Sequence, residues 1–87
     1  MNNPEMLSDD MMANIAGGTL TREEALEKAL EHANIDKKDV DLVKKVELDY
    51  EHGRKIYEIE FYNNGYEYEY DVDAETGKIL KFDKDFD

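Results

Sequence analysis

Residues 50–78 read YEHGRKIYEIEFYNNGYEYEYDVDAETGK, and this stretch decides the fold. Between His52-Gly53 and Asn64-Gly65 the chain alternates strictly, with Tyr57, Ile59 and Phe61 on one side and Glu58 and Glu60 on the other. After the second turn the pattern resumes, setting Tyr66, Tyr68, Tyr70 and Val72 against Glu67, Glu69 and Asp71. Successive side chains of an extended strand point to opposite faces, so this alternation predicts a half-buried antiparallel sheet. His-Gly and Asn-Gly supply the positive φ that tight hairpin turns need.

Turn length then sets the register. A two-residue turn at His52-Gly53 pairs residues 42–50 with the strand that follows. Leu48 faces Tyr57 and Val46 faces Ile59, while Glu47 meets Glu58 and Lys45 meets Glu60. Around Asn64-Gly65, Phe61 faces Tyr68, Ile59 faces Tyr70 and Tyr57 faces Val72; Glu60 then lies opposite Glu69, and Glu58 opposite Asp71. Both hairpins agree on which face is apolar, so the register is strongly specified. A third turn, residues 73–77, leads to a short last strand at 78–82. The polar tail, 83–87, is expected to fray, with Phe86 touching the sheet.

The clearest helix spans residues 19–33. Thr21-Arg22-Glu23-Glu24 is a capping box, with Thr21 at the N-cap and Glu24 reaching back. Leu26, Ala29, Leu30 and Ala33 recur at helical spacing and form one apolar stripe. Glu24 and Lys28 are spaced for an exposed ion pair. Asn34 suits a left-handed cap, and Ile35 can fold back under the helix end. The predicted fold is α+β: one helix packed on a four-stranded antiparallel β-meander in two layers, with a weakly helical N-terminal arm. Its expected core is the helix stripe with Val46, Leu48, Tyr57, Ile59, Phe61, Tyr68, Tyr70 and Val72.

Composition narrows the partners. Eighty-seven residues make one domain, and a net charge of -12 with 39% charged residues repels phosphates and anionic lipid. Nucleic acid is therefore not an expected partner, whereas basic proteins are favoured. The absence of cysteine excludes disulfides, thiolate metal sites and cysteine nucleophiles. No apolar run reaches the ~20 residues of a membrane span, and no basic-then-apolar start marks a Sec signal.

Residues 1–18 differ from the rest. They hold Glu5, Asp9 and Asp10 and no Lys or Arg. Ser8 can cap a short helix with Asp9 and Asp10 in its first turn, and Gly17-Gly18 would end it. The segment LSDDMMANIAGG resembles the double-glycine leaders of bacteriocins and peptide pheromones. Leu7, Met12 and Ile15 match their spaced apolar positions, and Gly17 and Gly18 match the cleavage pair; Met11 stands where such leaders carry an acid. An amphipathic helix can lay such a stripe in a peptidase groove, and two residues without side chains can thread a narrow channel. The resemblance implies cleavage after Gly18 and export by a peptidase-containing ABC transporter. It divides the chain into a leader-like segment, 1–18, and a domain, 19–87.

That domain resembles the PepSY family over residues 20–81. The likeness is carried by LTREEALEKALEHA, by GRKIYEIEF from Gly53 to Phe61, and by YEYDVDAETGKIL from Tyr68 to Leu80. The family occurs in propeptides of thermolysin-like metalloproteases, in spore-germination proteins and in small secreted or membrane-attached bacterial proteins. It implies a helix on an antiparallel sheet and a role restraining proteases, without catalysis and without ligand residues to carry over. No protease follows in the sequence, so a propeptide acting in cis is not expected.

Few constellations could carry chemistry. His32, near the helix end, and His52, in a turn, read as exposed structural residues. Asp71-Val72-Asp73-Ala74-Glu75-Thr76-Gly77 looks like the start of a calcium loop, but its twelfth position is Phe82 instead of a carboxylate; a hairpin turn is the better reading. No residue set supports a cofactor or a metal. The acidic side of the sheet remains: Glu58, Glu60, Glu67, Glu69 and Asp71. Like charges facing one another destabilise a sheet, which Lys45 and Lys81 would offset in part. They also keep sheets from stacking, or offer a docking surface to a basic partner. Tyr50 and Tyr62, near the turns, are the tyrosines best placed to contact a partner. The expectation is a monomeric, exported, non-enzymatic domain that binds a protease or another extracellular protein. The alternative is a substrate or accessory, immunity-type partner of a double-glycine export system.

Overall fold

The computed structural model describes residues 18–86. The expected N-terminal arm and the leader-like positions Leu7, Met12, Ile15 and Gly17 lie outside the described residues.

Thr21 opens helix α1, Arg22–Ala33, through the expected capping box: its Oγ1 accepts from the Glu24 backbone N–H at 3.1 Å, and Glu24 accepts from the Thr21 N–H at 2.8 Å. Asn34 closes the helix at φ 60, and the Ile35 N–H donates to the Leu30 carbonyl. Because Glu24 is committed to the cap, the expected pair with Lys28 does not form. The Lys28 alkyl chain instead runs over Gly77, whose missing Cβ would sit 3.1 Å from Lys28 Cε. A 3₁₀ turn, Lys37–Asp39, leads to the sheet.

Four strands follow in meander order: β1, Leu42–Glu51; β2, Arg54–Asn63; β3, Tyr66–Asp73; and β4, Ile79–Phe86. His52-Gly53 and Asn64-Gly65 all have positive φ, as two-residue hairpin turns require. Every residue pair expected from the turn positions is present in the β1–β2 and β2–β3 registers. Lys44 forms a bulge in β1, shifting the register before Lys45.

The tail departs from expectation. Residues 83–86 do not fray but extend β4, pairing Asp83 with Glu69, Lys84 with Tyr68, Asp85 with Glu67 and Phe86 with Tyr66. Their own alternation, Phe82-Asp83-Lys84-Asp85-Phe86, suits a strand. Lys84 lies 4.5 Å from the Tyr66 ring centroid, and Phe86 meets Tyr66 edge-on.

One buried cluster joins Ala25, Leu26, Ala29 and Leu30 of α1 to Tyr57, Ile59, Phe61, Tyr68, Tyr70 and Val72 of the sheet. Tyrosine hydroxyls reach partners at its rim. Tyr57 donates to the Leu20 carbonyl at 2.8 Å, and the Tyr70 hydroxyl lies 2.9 Å from His32 Nδ1. Burial pushes the Tyr70 hydroxyl up to about 12. Leu48 is a correction: it lies on the inner face as expected, but it is 44% exposed and outside the core. β1 is an edge strand whose far end extends past the helix. Ala33 and Val46 are only partly buried, whereas Ala25, Ile56 and Ala74 are buried without having been expected.

Candidate protein-binding surface

The sheet face away from α1 is built of cross-strand rows. One runs Glu47–Glu58–Asp71–Lys81, the next Lys45–Glu60–Glu69–Asp83, and the third Leu42–Tyr62–Glu67–Asp85. Glu58, Glu60, Glu67, Glu69, Asp71 and Tyr62, the residues singled out from the sequence, are thus brought onto one surface. All six are half-buried, because adjacent side chains on a pleated face shield one another.

Compensation is lopsided. Lys45 Nζ lies 2.9 Å from Glu58 and 3.9 Å from Glu60; Lys44, from the bulge, lies 3.6 Å from Glu60 and 3.5 Å from Glu67. Lys44 also stands 5.9 Å above the Tyr62 ring. The Glu67 carboxylate raises the Lys44 ammonium above its ordinary value, and a hydrogen bond to Glu58 does the same for Lys45. Both lysines sit at the β1 side. Towards β4, Glu69 has Glu60 on one flank and Asp83 on the other. Burial, and then the charges of Glu60, Glu67, Asp83 and Asp85, push its carboxyl upward. Burial also raises Asp71, against the pull of Lys81.

Lys44, Asp83 and Asp85 belong to this surface and were missed in the sequence. Lys44 is on this face only because of the bulge, for which there was no signal. The two aspartates were legible in the period-two pattern of the tail, but its acidity suggested a solvated end.

Two carboxylate groupings could gather round a cation: Asp49 with Glu51 and Glu58, and Glu60 with Glu67 and Glu69, each with oxygens within 4.8 Å of one another. In the second, the Lys44 ammonium already stands against Glu60 and Glu67. The calcium-like loop uses its carboxylate otherwise. Asp73 Oδ1 accepts from the Glu75 and Thr76 N–H groups at 2.8 and 3.0 Å, and Gly77 follows at φ 80. Burial opposes ionisation of Asp73, but those two hydrogen bonds and Arg54 outweigh it and hold its carboxyl below the ordinary range. His52 lies in its turn. His32 packs its ring against Tyr70 and Phe82 at centroid distances of 5.4 and 5.3 Å, an anchor for the helix end. Of the two tyrosines, Tyr62 lies on the acidic face, and Tyr50 stands largely exposed on the opposite one.

Residues 19–83 match the family described as the peptidase propeptide and YPEB domain, PepSY. The chain belongs to the PepSY family. The family is propeptide-like and inhibitor-like in character. A Streptococcus pyogenes serotype M6 protein, the uncharacterized protein Spy1430, is 37% identical over 62 residues. That match covers 71% of this chain and 47% of the relative, so the chain spans about half the relative's length. No solved structure matches. Among the described residues, no helix is long and apolar enough to cross a membrane.

Proposed function

We propose that this PepSY chain is an exported, non-enzymatic domain that docks a basic protein surface on its acidic sheet face, and that the partner is a protease it restrains. The observation that carries this reading is the β4 side of the face, where Glu69, Asp83 and Asp85 stand together beyond Lys44 and Lys45, which pair with Glu58, Glu60 and Glu67. A two-layer arrangement, with α1 on the other side, leaves this surface open to a partner. The propeptide-like family points to a protease as that partner. Charged surfaces of this kind steer encounter and set specificity.

The test is binding and inhibition across a panel of extracellular metalloproteases, with the natural chain and with the triple variant Glu69→Lys, Asp83→Lys, Asp85→Lys. Expected is binding to a protease with a basic surface, weakened roughly tenfold or more by the charge reversal. A panel that neither binds nor is inhibited, or binding that ignores the reversal, overturns the reading.

A second reading rests on Leu7, Met12, Ile15, Gly17 and Gly18, whose spacing suits a double-glycine leader. The chain is then a substrate or accessory partner of a peptidase-containing ABC transporter, cytoplasmic before export and extracellular or surface-bound after it. Incubation with a double-glycine peptidase domain should create a new N-terminus at Thr19; an uncut chain, or one cut elsewhere, rejects this reading.

A further inference from the structure

The inner face of β1 is only partly covered by α1. Tyr50, Leu48, Val46 and Val43 form its row on that face; Tyr50 is 64%, Leu48 44% and Val43 40% exposed. The N-terminal segment leaves the domain near one end of the row, where the Leu20 N–H donates to the Ala74 carbonyl at 2.7 Å, beyond the neighbouring strand β2. Thr19 Oγ1 accepts from Lys55 Nζ at 3.1 Å, and Lys55 is the cross-strand partner of Tyr50. At the other end the row runs into a groove of about 440 Å³ between α1 and β1, lined by Arg22, Glu23, Leu26, Lys37, Val43 and Val46. Apolar strand residues thus lead from near the exit point of the chain to a groove that carries two cations.

The segment that leaves there has matching chemistry. Residues 1–17 hold Leu7, Met11, Met12 and Ile15, together with Glu5, Asp9 and Asp10, and no Lys or Arg. Its reach is sufficient. Ile15 lies four positions before Thr19, an extended span of up to roughly 14 Å, and two-residue steps along a strand advance only about 7 Å. That length is enough for Ile15 to extend to Leu48, and for Met11 or Met12 to extend to Val46 and Val43. Arg22 and Lys37, set against the single acid Glu23 in the groove lining, complement the acids of that segment.

We propose that the N-terminal segment docks on its own domain, its apolar side chains covering Leu48, Tyr50 and Val43 and its acids facing Arg22 and Lys37. The seated stripe includes Leu7, Met12 and Ile15, so a partner that reads those residues must first lift the segment off β1. The docking goes beyond the functional readings above and concerns the uncut chain, whatever peptidase acts on it.

The chain has no cysteine, so Met12→Cys provides a single attachment point for a nitroxide label in the full-length protein. In paramagnetic relaxation measurements the expected result is selective broadening of the amide signals of Val43, Val46 and Leu48, with Phe82 and Lys84 on the far edge unaffected. Adding Leu48→Glu, a change at an exposed position, should restore the β1 signals severalfold, whereas Phe82→Ser should not. Broadening that is absent from β1, that is equal on both edges, or that persists unchanged with Leu48→Glu overturns the proposal. Cleavage by a double-glycine peptidase is scored separately, so failure of the docking and failure of the leader reading are distinguishable.

Discussion

Glu69 lies across from Glu60 on one strand and Asp83 on the other, with Glu67 two residues away on the same face. Its carboxyl is raised by burial and by those neighbours, so the folded chain holds the proton more tightly than the unfolded chain does. The resulting penalty is present at neutral pH and is relieved as pH falls through the raised value towards the ordinary one. Asp73 has the opposite sign. Its lowered carboxyl stabilises the fold above the ordinary value, and that contribution is lost as pH falls through the lowered one. Stability should therefore rise from pH 7 into the mildly acidic range and fall again at lower pH. Glu69→Gln should add about 0.5 kcal/mol at pH 7 and flatten the rise, leaving the acid-side fall in place. Urea denaturation across a pH series checks this; a variant whose profile overlays that of the natural chain contradicts it. The opposition of Glu60 and Glu69 was legible, because it follows from a two-residue turn and strict alternation. The third carboxylate across from them, Asp83, was not, because the tail was read by its charge and not by its period.

At the scale of elements, α1 shows what local sequence specifies well. Its cap, stripe and left-handed end all depend on residues within a few positions of each other, and all are present. Thr21→Ala should cost about 1 kcal/mol, read as a lower denaturation midpoint. The strands show the complementary limit. Alternation states which side of β1 faces the helix, but not how far the helix reaches, since that depends on how a 12-residue helix lies across four strands. Leu48 and Ile59 share one pattern and one face, yet Ile59 is fully buried and Leu48 is not. Ile59→Ala should cost about 2–5 kcal/mol, whereas Leu48→Ala should fall near the roughly 0.5 kcal/mol of surface changes. Equal losses in paired thermal melts would mean that Leu48 is packed as tightly as Ile59, more than a segment lying over an exposed edge position can supply. The β1 bulge is invisible for a related reason. It places Lys44 between Glu60 and Glu67, beside charges on the next two strands that local sequence does not report. Ala74 lay in a turn and Ile56 on the acidic parity, so neither periodic pattern could mark them as buried.

For the whole molecule, charge decides how salt acts. The chain carries a net charge of -12, and the described domain measures 40 × 34 × 16 Å. Its thinnest dimension exceeds the ~10 Å Debye length at ~0.1 M salt, so charges on opposite sides of the slab are largely screened, and the repulsion that remains is between neighbouring carboxylates of one face. At ~1 M that length is about 3 Å and most of the repulsion is gone. The ion pairs of Lys44 and Lys45 act the other way, but exposed pairs of this kind contribute only about 0–1 kcal/mol each. Self-repulsion therefore outweighs them, and added sodium chloride should raise the melting temperature. The same salt should weaken the complex with a basic partner, since attraction between the acidic face and that partner is screened just as repulsion within the face is. One titration followed by calorimetry and by binding measures both, and the two curves should slope in opposite directions. A melting temperature that falls with salt would mean that the lysine pairs dominate the face. Binding that strengthens with salt would move the contact to the apolar β1 side, where screening costs nothing.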